Sequence, residues 1–331
     1  MIKMALFGCG RIGRLHAQNI TQNQGAELIQ VYDVHQLSAD QLATLHNCEA
    51  ALSVEAILAN SNIDAVLIGT STDTHADLIE ASAKAVKAIF CEKPIDLNLD
   101  RVKQCEATIT PYNVPFQIGF NRRFDPSHKS VKNAVVAGQI GDLHQVIITS
   151  RDPEMPPKSY IETSGGMFRD ITIHDFDLTR FMLGEEPTEI YESASALVNP
   201  KACAAVGDID SAMIQMKTAS GRLCHINNSR QAVYGYDQRV ELFGSTGMLI
   251  SDNQRPHDLK SFNATQTGKS EPYQSFFLER YAKAFVAKLN AFIDCVSNNK
   301  PKEVGFEDGA KALALVKAAY QPLETRKSVY L

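Results

Sequence analysis

The stretch SGGMFRDITIHDFD, residues 164–177, sets Arg169, Asp170, His174, Asp175 and Asp177 among apolar neighbours. Residues four apart share one face of a helix, so Asp170 and His174 stand together there. Their types allow two readings. One is a solvated, charge-laced face. The other is a carboxylate–imidazole pair, since histidine titrates close to neutral pH and can act as a general base. A second candidate is Lys93 in Cys91-Glu92-Lys93-Pro94, where an apolar run ends. A lysine there is either solvated or a cation beside a reacting oxygen. Gly165-Gly166, ahead of the pair, either permits a close turn or starts the helix. His174-x-x-Asp177 is the nearest approach to a metal-ligand spacing, and it falls short of a full ligand set. No metal is expected.

The elements that must position these residues begin with G-C-G-R-I-G, containing Gly8, Gly10, Arg11, Ile12 and Gly13. It follows the strand-like run KMALF and opens the helical pattern RIGRLHAQNI. In that context the glycines permit a tight turn and close backbone approach, and the helix N-terminus faces a pyrophosphate. A second strand ends in Val31-Tyr32-Asp33, 20 residues after Gly13. A carboxylate there accepts hydrogen bonds from ribose hydroxyls and repels a 2′-phosphate, which selects NAD. DAVLIGT then runs into Ser71-Thr72-Asp73-Thr74-His75. Thr70, Ser71 and Thr72 are expected to line the cofactor crevice beyond the strand ends. His75 either contacts the cofactor or caps the following helix.

Strand-like runs at KMALFG, AELIQVYD, DAVLIGT, KAIFCEK and VPFQIGF alternate with helical patterns near 12–23, 37–46, 74–85 and 98–110. This alternation predicts βαβ units and a doubly wound parallel sheet, an α/β fold, over 1–120. Beyond it, over 121–331, strands are expected at Val146–Ser150, Thr188–Leu197, Ala212–Thr218, Leu223–Ser229, Arg239–Gly244 and Met248–Ile250. Several alternate polar and apolar residues, as in an antiparallel sheet with one buried face. Helices are expected at about 164–183, 275–297 and 307–320, and a loop-rich stretch at 252–273. An exposed apolar sheet face predicts homo-oligomers.

The fingerprint, TDTHADLI, EKPIDL, GFNRRFDPSH and GGMFRDITIHDFDLTRFMLGEEP, in that order, resemble the Gfo/Idh/MocA oxidoreductases over essentially the whole chain. Within that family, ITSRDP, the GGMFRD segment and YGYDQRVELFGSTGM are similar to the members that oxidise inositols. The resemblance implies a Rossmann domain followed by an α+β domain on a large, mostly antiparallel open sheet, assembled as a tetramer. It implies NAD as cofactor, with Glu92 and Lys93 at its edge, and Lys93, Asp170 and His174 as the catalytic set meeting over the nicotinamide. His174 is then the base that takes the alcohol proton, Asp170 supports its positive charge, and Lys93 donates to the substrate oxygen. Asn121, Arg122, Asp152 and Tyr234 are implied as substrate contacts, although Arg122, Asp152 and Tyr234 each also admit a structural role. The implied reaction is oxidation of myo-inositol to its 2-keto product. Other inositols, an aldose, or a catalytically silent nucleotide sensor on the same fold are the alternatives.

Composition limits the remaining classes. The chain has 331 residues, 44% hydrophobic and 21% charged, with a formal charge of −5. Two domains fit that length. Nothing in the charge favours nucleic acid or an anionic membrane as partner. No run approaches the roughly 18 apolar residues of a membrane span, and no signal peptide is evident. The 7 cysteines lack a C-x-x-C pair, which favours reduced thiols and a cytoplasmic location.

Overall fold

The first strand, β1 (Ile2–Phe7), buries its last four residues completely. A strand covered on both faces reads as a continuous apolar run, and IKMALF is one. The computed structural model describes residues 1–325 and 327–331. They divide into two units, Met1–Asn121 with Phe285–Leu313, and Arg122–Ala284 with Ala314–Leu331.

The first unit continues through α1 (Arg11–Thr21), β2 (Ala26–Tyr32), α2 (Gln36–His46), β3 (Glu49–Ala50), α3 (Val54–Ala59) and β4 (Ala65–Ile68). It then runs through α4 (His75–Lys84), β5 (Ala88–Cys91), α5 (Leu99–Ile109) and β6 (Phe116–Ile118). The six strands are all parallel, in the order β3-β2-β1-β4-β5-β6. This is the doubly wound sheet that the alternation predicts. Two short elements, β3 and α3, escape sequence reading because neither is long enough to show a period.

The second unit contains α6 (Pro126–Val136), β7 (Leu143–Arg151), α7 (Lys158–Ser164), α8 (Ile173–Leu183), β8 (Pro187–Ser195) and α9 (Pro200–Val206). It adds β9 (Ser211–Thr218), β10 (Leu223–Ser229), β11 (Asp237–Gly244), β12 (Gly247–Ser251) and a ribbon of β13 (Lys260–Phe262) with β14 (Thr267–Ser270). The stretch expected as loop thus holds a hairpin. After α10 (Phe277–Arg280), α11 (Ala282–Asn298) and α12 (Phe306–Thr325), β15 (Val329–Tyr330) completes a sheet ordered β12-β11-β7-β10-β9-β8-β15. Its pairs are antiparallel except β7 with β10. The helix expected over 164–183 is interrupted. Gly165 and Gly166 both take positive φ, ending α7, and a wide π turn at Phe168–Thr172 leads into α8.

A division into two contiguous stretches at 120/121 misses the return of the chain. Leu289, Phe292 and Ile293 of α11 join Met4, Leu6, Leu28, Val31, Leu67 and Phe90 in one buried cluster of the first unit. An amphipathic helix packs wherever its apolar stripe is covered, whatever its place in the chain.

Candidate active site

In the first unit, the glycine loop folds tightly for steric reasons. Gly8 has φ +94°, and a Cβ there would lie 2.6 Å from the Gly69 carbonyl. A Cβ on Gly13 would lie 1.9 Å from the Gly8 carbonyl, so α1 and the loop pack at a distance only glycine permits. Gly10 has open space around it and N-caps α1 without a side-chain bond. No acidic residue occupies the first turn, where Arg11 and Ile12 begin the helix. An anion therefore meets exposed N–H groups and the positive end of the helix. Asp33 is clasped against this loop, accepting from the Cys9 N–H at 2.7 Å and the His35 N–H at 2.8 Å. Each of its oxygens keeps a lone pair for a ribose hydroxyl. The residues present fit a dinucleotide.

On the other side of β1 the chain leaves β4 through Thr70, Ser71 and Thr72. The hydroxyls of Thr70 and Thr74 are 2.7 Å apart. His75 stands at the start of α4, between the loops that follow β4 and β5. It is buried, with Nδ1 at 2.7 Å from the Pro94 carbonyl and Nε2 at 3.2 Å from that of Thr70. A neutral imidazole has a single N–H to donate, and its shorter contact, Nδ1 to the Pro94 carbonyl, ties the start of α4 to the loop after β5. Burial pushes its pKa down.

Glu92 and Lys93 follow β5. One oxygen of Glu92, Oε1, meets Nε2 of His16 at 2.7 Å and Nζ of Lys288 at 2.5 Å. Burial alone would raise this carboxyl's pKa, but the Lys288 charge and the His16 hydrogen bond outweigh it and hold it below the ordinary range. Neither His16 nor Lys288 stands out in the sequence. Lys288 lies 196 residues from Glu92, and a lone lysine in an amphipathic helix gives no local signal.

In the second unit, Asp170 lies on the π turn and His174 one turn later in α8, which packs against β7. The Asp170 carboxylate accepts from the Tyr160 hydroxyl at 2.9 Å and from Arg230 Nη1 at 3.5 Å. Arg230 is fully buried and also reaches Asp208 at 3.4 Å. Asp208 accepts from the Met167 N–H at the start of the turn. Asp152 belongs to this cluster electrostatically. Its carboxyl is pushed up to about 7, by burial first and by the neighbouring Asp170 charge second, against the pull of Arg230 and Arg122.

Two implied substrate residues have internal partners. Arg122 is buried, pairs with Asp175 and donates to Ser150 Oγ at 3.0 Å. Its guanidinium is the cation paired with a carboxylate that is itself fully buried. Arg123 does the same for Asp177 at 2.8 and 2.5 Å. Tyr234 is partly exposed, donates to Asp237 at 2.7 Å and accepts from Arg151 at 2.7 Å. Asn121 is buried at the end of the first unit. Among the described residues, no cluster of three or more histidine, cysteine or acidic side chains could hold a metal ion.

A parallel sheet with a glycine-cradled anion site and a ribose-facing carboxylate, together with a separate α+β unit bearing an acid–base cluster, defines a dinucleotide-dependent oxidoreductase. The family model for the oxidoreductase family, NAD-binding Rossmann fold, matches residues 2–120, and that for the GFO/IDH/MocA C-terminal domain matches residues 128–250. The chain belongs to the GFO/IDH/MocA family. It is 44% identical over 329 residues to an inositol 2-dehydrogenase of Rhizobium meliloti strain 1021, covering 99% of this chain and 98% of that protein. Among solved structures it is similar to a myo-inositol dehydrogenase from Corynebacterium glutamicum ATCC 13032, with TM-score 0.96, 40% identity and coverage of 100% and 99%. A scyllo-inositol dehydrogenase from Lactobacillus casei, with bound NAD(H) and scyllo-inositol, aligns with TM-score 0.92 at 28% identity over 100% of this chain and 99% of that one.

Proposed function

We propose that this chain is an NAD-dependent inositol 2-dehydrogenase, oxidising a secondary alcohol of a cyclic polyol, with myo-inositol going to 2-keto-myo-inositol. The observation that carries this reading is the end-to-end likeness, at 44% identity, to an inositol 2-dehydrogenase. Bound NAD supplies the hydride acceptor. The chain's own residues supply position and charge. His174 takes the hydroxyl proton, and Asp170, one turn earlier, supports the imidazolium that forms. Tyr160 and Arg230 hold the Asp170 carboxylate, which supports its role as a fixed negative charge. Lys93 donates to the oxygen as alkoxide character builds. Asp152, Tyr234 and Asn121 offer donors and acceptors to a hydroxyl-rich ring, whose polar groups must all be matched.

The partner that fits the second unit's sheet is a further copy of this chain, giving a homotetramer. Tyr191, Met213, Leu223, Phe243, Met248 and Ile250 lie on one face of that sheet, each at least 38% exposed. No helix among the described residues is long and apolar enough to cross a membrane. The seven unpaired thiols support a cytoplasmic location.

Initial rates with NAD across myo-inositol, scyllo-inositol, other inositols and aldoses test the assignment. Turnover is expected with an inositol, and the absence of turnover on every inositol overturns it.

A further inference from the structure

Lys288 is completely buried, on a helix that the chain contributes to the first unit long after the rest of that unit. Its ammonium donates to Glu92 Oε1 at 2.5 Å and to the Gly119 carbonyl at 3.1 Å, and sits 4.3 Å from the centre of the Phe285 ring. The helix is pinned at this residue, because Gln117 Nε2 donates to the Lys288 carbonyl at 2.7 Å. His16, also fully buried, brings a second donor to the same carboxylate oxygen at 2.7 Å. A buried ion pair of this kind is a poor source of stability, since desolvation offsets most of the attraction. Its geometry points to another use.

Both buried donors converge on Oε1. Among the described residues Oε2 accepts no hydrogen bond, and it lies 2.5 Å from where a Cβ on Gly119 would stand. Glycine at 119 therefore keeps that oxygen uncovered. Glu92 follows the carboxyl end of β5, where ligands of an open parallel sheet bind. Asp33 marks the adenosine side at the end of β2. The sheet order puts β5 three strand spacings away, roughly 14 Å, on the side left for the nicotinamide half.

We propose that Lys288 and His16 are positioning residues for Glu92. By gripping Oε1 from inside the unit they present Oε2 as the acceptor for a donor on the nicotinamide riboside half of NAD, a ribose hydroxyl or the carboxamide N–H. The inference rests on NAD as cofactor and is independent of which polyol is oxidised.

Calorimetric titration of the full chain tests it with three probes: NAD, ADP-ribose and ADP. Lys288→Met is expected to weaken NAD about tenfold or more while ADP, which lacks the nicotinamide riboside, changes less than twofold. ADP-ribose weakened with NAD assigns the ribose hydroxyls, whereas ADP-ribose unchanged with ADP assigns the carboxamide. Equal weakening of NAD and ADP, or no weakening of NAD, overturns the proposal. Should Lys288→Met fail to fold, Glu92→Gln and the double variant Glu92→Gln/Lys288→Met decide. A residue that acts through Glu92 adds nothing once that carboxylate is gone. The two must therefore bind NAD within twofold of one another, and a further loss in the double variant overturns the proposal.

Discussion

Charged residues in SGGMFRDITIHDFD separate into two groups by what they meet. Asp175 and Asp177 are fully buried and answered by Arg122 and Arg123, so they hold α8 in its unit. Asp170 and His174 carry the proposed chemistry. His174→Ala is expected to lower kcat by about 10²–10⁴-fold, the usual contribution of a positioned base, with NAD affinity unchanged by titration. Intact turnover would mean the base is another group. Arg122→Met is expected to behave differently, because it strands Asp175 without its cation. The loss of one partner of a buried pair costs about 3–5 kcal/mol, readable as a lower urea midpoint. A variant of normal stability with only a raised KM would return Arg122 to the substrate.

At the scale of elements, strand β8 shows how a buried acid makes stability depend on pH. Glu192 is buried and accepts from the Leu323 N–H at 2.9 Å, and burial pushes its carboxyl from 4.5 up to about 7. The folded chain therefore holds this proton more tightly than the unfolded chain. Through this group stability falls as pH rises from about 4.5 to about 7, and the full penalty persists above that range. Glu192→Gln is expected to raise the melting temperature at pH 8 and leave it nearly unchanged at pH 4.5. Equal melting curves at pH 8 would exclude the effect. Elements such as β1 and β5 are legible in the sequence because a strand covered on both faces must be apolar throughout. The break at Gly165-Gly166 is legible only as a question, since glycines both start and end helices. The same limit governs the site. Asp33, the glycines and the Asp170/His174 spacing are local patterns. Arg230 and Lys288 matter through partners 60 and 196 residues away, and no local period records that. His75 and Arg122 show a related limit: their internal partners, the Pro94 carbonyl and Asp175, lie 19 and 53 residues away and leave no mark in the local sequence.

For the whole molecule, the sheet face bearing Met213 and Phe243 is the surface proposed to carry assembly. Met213 is 56% and Phe243 45% exposed. Introducing charge there desolvates badly against any apolar partner. The double substitution Met213→Glu/Phe243→Glu is expected to convert the oligomer to smaller species in light scattering, with the melting curve of the subunit largely retained. An unchanged mass would move the interface elsewhere.

The return of Phe285–Leu313 to the first unit has a consequence for how the protein comes off the ribosome. Residues 1–121 emerge early, yet their apolar surface awaits Leu289, Phe292 and Ile293, which follow the whole of Arg122–Ala284. The second unit is likewise unfinished until 314–331 arrive. Neither half is a module that can be cut at residue 121, traded with a relative, or matured ahead of the other. Each unit is complete only once both of its separated segments have been made, and a nascent chain stalled before Phe285 lacks the side chains that cover Met4, Leu6 and Phe90.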